Sequence, residues 1–474
     1  MKTYPVYLNG NWTVTGDSIP VVNPADAEVF ARMTLVDAAH VAQAIKDGHV
    51  AFGAWRHFTG KGRGELLRKI ANELERRREE IARIITLENG KPLTQSQGEV
   101  AMAVDHLRWF AEEARRAYGR VVPQQAEEKR HLVVKTPLGV VAAISPWNFP
   151  LALAVRKIAP ALAAGCTAIL KPASQTPLTA VAFAECIETA RLPKGVFQLV
   201  VGPAAEFARE CLNNPLCRKI TFTGSTDVGR KLIEGAAQHI KPLTLELGGH
   251  APVLVFEDCD LGEAVKHTMI AKFRNAGQSC IAANRIYVQR KVYPDFVRAF
   301  VDETKSLKMG AGLDPQTQIG PLIDESAVAR AIEHVQDAVS GGAKLLCGGI
   351  RGNGPGFFFE PTVLSDVSPT ALCMFEETFA PVAPITPFDT DHEAIELANS
   401  SNYGLGAYVF TKDLTRVFRL ADVLEAGMIG VNDGLLTTSQ CPFGGVKQSG
   451  WGRELGSEGM EAFLETKHIS ISID

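Results

Sequence analysis

Hydrophobic residues recur at helical spacing between residues 64 and 87, and charged residues at 76–80 occupy the opposite face. The apolar positions are Leu66, Leu67, Ile70, Leu74, Ile81, Ile84 and Ile85. This pattern predicts an amphipathic helix, and Asn89-Gly90 predicts its end. The charged run is interpreted as a solvated helix face rather than a binding patch.

Short β-rich runs mostly alternate with helical patterns between residues 138 and 256. The β-rich runs are 140–144, 167–170, 197–201, 219–222 and 252–256, and a helical pattern covers 178–190. A second series between residues 285 and 430 includes β-rich runs at 285–289 and 406–410 and a helix near 328–339. Such alternation is typical of βαβ units, so we predict two α/β domains with parallel sheets. Residues 130–135 and 467–474 predict further strands.

Composition narrows the possible functions. The chain has 474 residues, enough for two or three domains, and a formal net charge of −4 that leaves no basic footprint for nucleic acid. No apolar run reaches the ~20 residues that a membrane span needs, and the first residues lack an apolar signal core, so a cytoplasmic location is expected. Nine scattered cysteines without a CxxC pair or zinc spacing predict reduced thiols and no metal site.

Cys280 and Glu246 are candidate catalytic residues, and glycines lie close to both in the sequence. A cysteine thiolate can add to a carbonyl carbon, and a carboxylate can later activate water to release the product. A free cysteine taken alone is more often a buried packing residue.

Five further motifs, at 146–150, 171–174, 222–226, 376–379 and 442–445, accompany the Glu246 and Cys280 motifs in a fixed order. The whole set resembles the aldehyde dehydrogenase superfamily over essentially the entire chain. Arg274, Arg156-Lys157 and the run 441–450 resemble most the succinate-semialdehyde dehydrogenase branch.

The resemblance implies a Rossmann-like cofactor domain, an α/β catalytic domain and a small β oligomerisation segment. The cofactor domain would comprise residues 1–118 and 138–248, and the catalytic domain residues 249–450. Residues 119–137 and 455–474 would form the oligomerisation segment of a homodimer or homotetramer.

The resemblance also assigns catalytic roles. Cys280 would attack the aldehyde, and the side chain of Asn148 with the Cys280 N–H would stabilise the oxyanion. Hydride would then leave to NADP or NAD, and Glu246 would activate the water that hydrolyses the thioester.

The cofactor residues implied by the resemblance are Trp147, Lys171, Ser174, Gly224, Ser225, Leu247, Glu376 and Phe379. Many NAD-specific relatives have glutamate where this chain has Ser174. NADP should therefore be accepted, and a preference for NADP over NAD is left open. Ser174 as a helix N-cap is a compatible alternative, and Trp147 as a core residue remains open. Gly224 and Ser225 end a predicted strand and open a helix, which suits a pyrophosphate.

Arg156, Arg274 and Thr437 would bind the carboxylate of an ω-semialdehyde, with succinate semialdehyde as the expected substrate. Glutarate semialdehyde, a broader range of aldehydes, a cofactor-independent cysteine hydrolase and a non-catalytic homologue are the alternatives. Two positions depart from the family pattern. Ala380 replaces a glycine, so no positive φ is expected there, and Ala282 replaces a second cysteine, so that redox switch is not expected.

Overall fold

An eight-stranded sheet forms the centre of the amino-terminal half in the computed structural model, which describes residues 1–473. Its strands, in spatial order, are Gly450–Trp451, Leu243–Glu246, Cys217–Thr223, Val140–Ile144, Thr167–Lys171, Phe197–Leu199, Val6–Leu8 and Asn11–Thr13. The five strands from Leu243–Glu246 to Phe197–Leu199 are parallel. These strands are almost entirely buried, as expected for a parallel sheet covered on both faces.

A seven-stranded sheet forms the centre of the second half. Its strands, in spatial order, are Lys344–Cys347, Thr362–Ser365, Val382–Phe388, Ala283–Gln289, Ala251–Val255, Gly406–Phe410 and Met428–Val431. Neighbouring strands are parallel except at the Lys344–Cys347 edge. The hydrophobic core of this sheet is distinct from that of the first.

Three smaller sheets complete the β structure of the described residues. One contains Thr3–Tyr4, Glu28–Thr34 and Ser18–Asn23, and another pairs Tyr403–Gly404 with Val446–Lys447. The third is antiparallel and contains Arg120–Val122, Lys129–Pro137 and Leu464–Ser472. The strands predicted at 130–135 and 467–474 fall in this third sheet, although Asp474 lies outside the described residues.

The α-helices connect these strands. They are Ala38–Trp55, Gly60–Arg76, Arg78–Asn89, Leu93–Glu113, Ala152–Ala164, Pro177–Thr189, Ala204–Asn213, Thr226–Ala237, Leu261–Phe273, Tyr293–Ser306, Glu325–Ser340, Asp391–Asn399, Leu414–Val423 and Gly456–Glu461. Short 3₁₀ turns occur at Arg274–Gly277 and Leu372–Met374. Within residues 1–473, no helix is both long and apolar enough to cross a membrane.

The prediction of one continuous amphipathic helix over residues 64–87 is wrong. The structure has two helices, Gly60–Arg76 and Arg78–Asn89, which meet at Arg77 with φ −95° and ψ 15°. The Arg77 guanidinium binds Glu80 and Glu185, each at 2.7 Å. The predicted end is confirmed, because Gly90 closes the second helix with φ 90°.

The parallel strands of the first sheet end at one edge, and most of the predicted motifs follow these ends. Residues 145–150 follow the strand Val140–Ile144, and residues 172–174 follow the adjacent strand Thr167–Lys171. Residues 224–225 and 247–249 follow the next two strands on the other side. In open α/β sheets, ligands bind at this carboxyl edge.

Candidate active site

Cys280 lies at the boundary between two cavities. One cavity, of about 200 Å³, is lined by six of the predicted site residues on the cofactor side: Trp147, Asn148, Gly224, Ser225, Leu247 and Phe379. The other is lined by Arg156, Arg274 and Thr437, together with Phe149 and Phe443. The structure therefore brings most predicted cofactor residues to one side of the thiol and all the predicted substrate residues to the other.

The loop before Cys280 has an unusual backbone. Asn275 and Ala276 have φ values of 52° and 54°, and Gly277 has 75°. Left-handed non-glycine residues cost of order 1–3 kcal/mol each and persist only where contacts hold them. Here the Asn275 backbone N–H donates to the Gln95 side chain at 2.8 Å, and its Nδ2 donates to the Asn148 carbonyl at 2.9 Å. These bonds tie the Cys280 loop to the Asn148 segment.

The Cys280 thiol is partly accessible from the cavities but lies in a poorly solvated environment. Burial raises its pKa to about 12; the Glu377 carboxylate adds to this increase, and the Arg156 guanidinium opposes it. The thiol is therefore protonated near neutral pH before ligands bind.

The Asn148 side chain lies beside the thiol and is 3% exposed. Its Nδ2 donates to the Gln278 carbonyl at 3.2 Å, which is long for a hydrogen bond of this type, and its Oδ1 has no partner within residues 1–473. The Asn148 carbonyl accepts from Lys91 Nζ at 2.7 Å. The backbone is firmly held while the amide donor remains available for an oxyanion.

Glu246 is buried, and neither of its carboxyl oxygens has a hydrogen-bond partner in the described part of the chain. Burial raises the pKa of Glu246 well above its usual value, Glu454 adds to the increase, and Lys157 and Arg156 oppose it. A Cβ on Gly444 would lie 2.8 Å from Glu246 Oε1, so a glycine at 444 leaves room for the carboxyl group. An uncompensated buried carboxyl of this kind is well suited to accept a proton.

The cofactor-side cavity opens onto a helix amino terminus. Ser225 is the N-cap of the helix Thr226–Ala237 and accepts from Val228 N–H at 3.4 Å. Trp147 is half-buried and meets Phe379 edge-on, with ring centroids 5.5 Å apart, so it lines the cavity rather than the core. Amide donors at a helix terminus beside apolar walls fit a dinucleotide, with its pyrophosphate at the helix.

Lys171 and Ser174 lie at the same sheet edge but do not line this cavity. Lys171 is 4% exposed and donates to the Pro172 carbonyl at 3.2 Å, and burial lowers its pKa to about 8. Ser174 is exposed in the turn that follows. The alternative of Ser174 as a helix N-cap is wrong, because the helix Pro177–Thr189 begins after Thr176.

Two arginines on the substrate side lack an acidic partner. Arg156 is 4% exposed, and its guanidinium lies 4.4 Å above the Phe443 ring. The Arg274 guanidinium lies 5.0 Å above the Phe149 ring. Within residues 1–473, neither forms an ion pair with a carboxylate at 4.0 Å or less. Buried cations without counter-ions are costly, so this pair predicts an anionic ligand.

A larger cavity of about 620 Å³ continues from the substrate side towards solvent. It shares Met102, Arg274 and Thr437 with the cavity beside Cys280. An aldehyde can therefore approach the thiol from the side opposite to the helix terminus.

Comparison with known proteins agrees with this geometry. The model of the aldehyde dehydrogenase family matches residues 12–469. The chain belongs to the aldehyde dehydrogenase family. This confirms the resemblance and the fold inferred from the motifs, and the protein is an NAD(P)-dependent aldehyde dehydrogenase.

Related members of the family match this chain over almost their full length. A glutarate-semialdehyde dehydrogenase of Pseudomonas putida is 47% identical over 98% of this chain and 97% of its own length. A succinate-semialdehyde dehydrogenase [NADP(+)] of Escherichia coli is 46% identical over 98% and 97%. A crystal structure of an E. coli NADP-dependent enzyme has a TM-score of 0.98 and 45% identity, covering 99% of this chain and 98% of that one.

One residue predicted to bind the cofactor of this aldehyde dehydrogenase does not line the cofactor-side cavity. Glu376 is exposed and lies 3.5 Å from His334, outside the cofactor-side cavity. The next residue, Glu377, lines the cavity and accepts from the Gly249 N–H at 2.9 Å. Burial raises the pKa of Glu377 to about 7. The turn between Glu376 and Phe379, which has φ 50° at Phe379, presents the second carboxylate to the site.

Sequence reasoning also missed a buried ion pair beside Glu246. Lys157 binds Glu454 and donates to Thr223 Oγ1 at 2.6 Å. In the sequence, Lys157 is marked only by its place in the Arg156-Lys157 dipeptide, and Glu454 lies outside all of the family motifs. Burial supplies the missing signal, because both side chains are 3% exposed or less.

Proposed function

We propose that this aldehyde dehydrogenase oxidises an ω-semialdehyde bearing a carboxylate tail, with succinate semialdehyde as its substrate. The observation that carries the proposal is the pair of unpaired guanidinium groups, Arg156 and Arg274, in the cavity beside Cys280. A planar guanidinium binds a carboxylate through two parallel hydrogen bonds. Thr437, at the same wall, adds a hydroxyl donor.

Glutarate semialdehyde is the second candidate substrate. It carries the same two functional groups separated by one more carbon, and the P. putida relative is named for it. Chain length is a weak discriminator, since one methylene is worth only about 1–3 kcal/mol.

In the proposed reaction, Cys280 releases its proton to water, its sulfur forms a bond to the aldehyde carbon, and the carbonyl π electrons move onto the oxygen. The negative charge that develops on the carbonyl oxygen is stabilised by the Asn148 amide and the Cys280 N–H. Arg156 and Arg274 hold the carboxylate and so fix the distance between the aldehyde and the thiol.

NADP or NAD, when bound, supplies the hydride acceptor that converts the thiohemiacetal into a thioester. Ser225 and the free N–H groups at its helix would hold the pyrophosphate, and Glu377 would orient the ribose next to the nicotinamide. Glu246 then takes a proton from water, whose oxygen attacks the thioester carbon. The C–S bond breaks, the acid is released, and the proton on Glu246 passes to the Cys280 thiolate. Its raised pKa makes Glu246 a stronger base once the carboxyl group has lost its own proton.

The proposal for cofactor choice is that NADP is accepted and preferred. Ser174 is exposed and uncharged at the position where many NAD-specific relatives have glutamate, so a 2′-phosphate meets no negative charge there. Lys171 lies three residues earlier at the end of its strand. The name of the E. coli relative specifies NADP.

We also infer that the enzyme assembles into a homodimer or homotetramer through the antiparallel sheet of Arg120–Val122, Lys129–Pro137 and Leu464–Ser472. Val121, Ile469 and Ile471 of this sheet are 73%, 37% and 40% exposed. Apolar side chains grouped on an open sheet are typical of a protein contact.

The substrate proposal is tested with the variants Arg156→Gln and Arg274→Gln, measured by NADPH formation at 340 nm. For succinate semialdehyde, kcat/KM should fall by a factor that corresponds to a loss of roughly 2–5 kcal/mol of transition-state stabilisation. The reason is that each variant removes one cationic partner of the carboxylate. Butanal, which has the same length but no charge, should be affected far less. Glutarate semialdehyde, assayed in parallel, compares the two candidate chain lengths.

Cys280→Ala provides the inactive baseline, and thermal unfolding shows whether each arginine variant remains folded. Equal losses for succinate semialdehyde and butanal would mean that the arginines support the site without recognising a carboxylate.

A further inference from the structure

A second concave site lies at the start of the helix Gly60–Arg76. Its volume is about 390 Å³. Five cationic residues contribute to its wall, namely Arg56, Lys61, Arg63, Arg115 and Lys135. Among residues 1–473, no aspartate or glutamate lines it. We call this site the basic cavity. None of its lining residues lines the two cavities at Cys280.

Carboxylates of the described residues leave most of this charge uncompensated. Of the five cations, only Lys61 has a carboxylate within 4.0 Å, that of Glu65 at 3.7 Å. The nearby Glu112 and Glu113 are paired with other arginines at 2.7 and 2.6 Å. The whole chain has a net charge of −4, so this concentration of positive charge is a local feature. Cations crowded into a concave wall repel one another and focus a field that attracts anions.

Arg63 is the most informative of the five residues, because it is 8% exposed and has no carboxylate partner in residues 1–473. Its Nε donates to the Ala163 carbonyl at 2.8 Å, and its Nη1 donates to the Phe58 carbonyl. Its Nη2 donates to no group in the described part of the chain. The guanidinium is therefore fixed in place by two backbone contacts and keeps a donor for a ligand.

The helix that begins at the basic cavity provides further donors. Thr59 caps the Gly62 N–H at 3.1 Å, whereas the N–H groups of Gly60 and Lys61 have no partner within residues 1–473. The first turn contains no acidic residue. A helix amino terminus attracts negative charge, and phosphate groups bind well at such termini.

We propose that the basic cavity binds a small anion through a phosphate or diphosphate group. Arg63 and the first turn of the helix form the fixed part of the site, and Arg56, Arg115, Lys61 and Lys135 surround it. The site is separate from the dinucleotide site, and it adjoins the antiparallel sheet proposed as the subunit contact, which contributes Lys135, Pro137 and Leu464 to its wall.

Isothermal titration with inorganic pyrophosphate at constant ionic strength tests the proposal on the full-length enzyme. The double variant Arg56→Gln/Arg115→Gln removes two exposed arginines and spares the buried Arg63. We expect this variant to weaken pyrophosphate binding at least about tenfold, since each lost charge-assisted contact is worth on the order of 1.5–3 kcal/mol when fully formed. Any pyrophosphate bound at the cofactor side is unchanged by these substitutions, so only the lost component reports on the basic cavity.

The matched control is Arg83→Gln/Arg209→Gln, which removes two exposed arginines elsewhere and the same total charge. This control should bind pyrophosphate like the unmodified enzyme. Equal affinity in both double variants would overturn the proposal, as would citrate binding as tightly as pyrophosphate. A change in oligomer mass for Arg56→Gln/Arg115→Gln, without any pyrophosphate effect, would identify the basic cavity as a subunit contact and overturn it too.

Discussion

Burial makes the Cys280 thiol a weak acid before any ligand binds. Its pKa is raised to about 12 by burial and then by Glu377, against the lowering effect of Arg156. Only the thiolate is nucleophilic, so its fraction should increase about tenfold per pH unit at all pH values well below that pKa. We expect alkylation of the ligand-free enzyme by iodoacetamide to accelerate in this way from pH 7 to pH 9. Mass spectrometry of the Cys280 peptide measures the rate.

Cys280→Ser identifies the signal in that experiment, because the labelled peptide should disappear. A rate that levels off below pH 9 would contradict the raised pKa and indicate that a neighbouring group already activates the thiol.

Ser174 decides cofactor choice in the proposed function. Ser174→Glu should weaken NADP binding by about 1–4 kcal/mol, because the new carboxylate would face the 2′-phosphate at a few ångströms. NAD should be affected much less. Dissociation constants from the quenching of intrinsic fluorescence measure both. Ser174→Ala is the control for loss of the hydroxyl group alone, and equal weakening of both cofactors by Ser174→Glu would place the preference elsewhere.

The sequence indicated most side chains at the Cys280 cavities but not which of two adjacent carboxylates lines the cofactor-side cavity. Glu376 and Glu377 have the same chemistry and are distinguished only by the turn that ends at Phe379. The expectation at Ala380 was sound, since the left-handed residue is Phe379 and not Ala380. Glu454 was missed because its importance comes from burial beside Lys157, which no local pattern reveals.

A buried ion pair holds the Asn148 segment in place. Lys91 and Glu99 are both fully buried, with Nζ and Oε2 2.6 Å apart. Lys91 also donates to the Asn148 carbonyl, and Glu99 accepts from the Leu151 N–H at 2.9 Å. The pair thus connects the start of the helix Leu93–Glu113 to the segment that carries Asn148, the proposed oxyanion donor.

Lys91→Met should therefore affect both stability and catalysis. It leaves the Glu99 charge buried without a partner, which lowers the free energy of unfolding by roughly 3–5 kcal/mol. It also frees the Asn148 carbonyl, so kcat should fall more than KM changes, because the amide acts mainly in the transition state. Denaturant unfolding and steady-state kinetics measure the two effects.

The double variant Lys91→Met/Glu99→Gln separates these effects. Glutamine removes the unpaired charge but keeps an acceptor for the Leu151 N–H, so much of the stability should return while kcat stays low. Recovery of both together would mean that Lys91 does not position Asn148.

Local sequence patterns predicted the strands well where the buried positions coincide with the apolar positions of the sequence. Each of the strands predicted at 140–144, 167–170, 197–201, 219–222, 252–256, 285–289 and 406–410 is present, with ends shifted by at most two residues. The break at Arg77 was not predictable, because no glycine or proline marks it and Glu185 lies far away in the sequence. The left-handed run at Asn275 and Ala276 was hidden for the same reason, since distant contacts hold it.

At the scale of the whole molecule, the order of the motifs predicted the fold because the carboxyl ends of parallel strands meet at one edge. The two cavities on either side of Cys280 could not be predicted, since they depend on how the two sheets are placed relative to each other. The basic cavity joins residues from five separate segments, none of which has an unusual sequence. Long-range arrangement of this kind requires coordinates.

Assembly through the antiparallel sheet of Arg120–Val122, Lys129–Pro137 and Leu464–Ser472 can be tested with substitutions on its two faces. Along the strand Leu464–Ser472, Ile469 and Ile471 point to one face, and Ser470 and Ser472 point to the other. Ile469→Lys/Ile471→Lys should reduce the mass measured by light scattering towards that of a single chain, because it buries two charges in the proposed contact. Ser470→Lys/Ser472→Lys adds the same charge to the opposite face and should retain the mass of the unmodified enzyme. If both variants keep that mass, the subunits meet elsewhere; if both lose it, the strand itself has been disrupted.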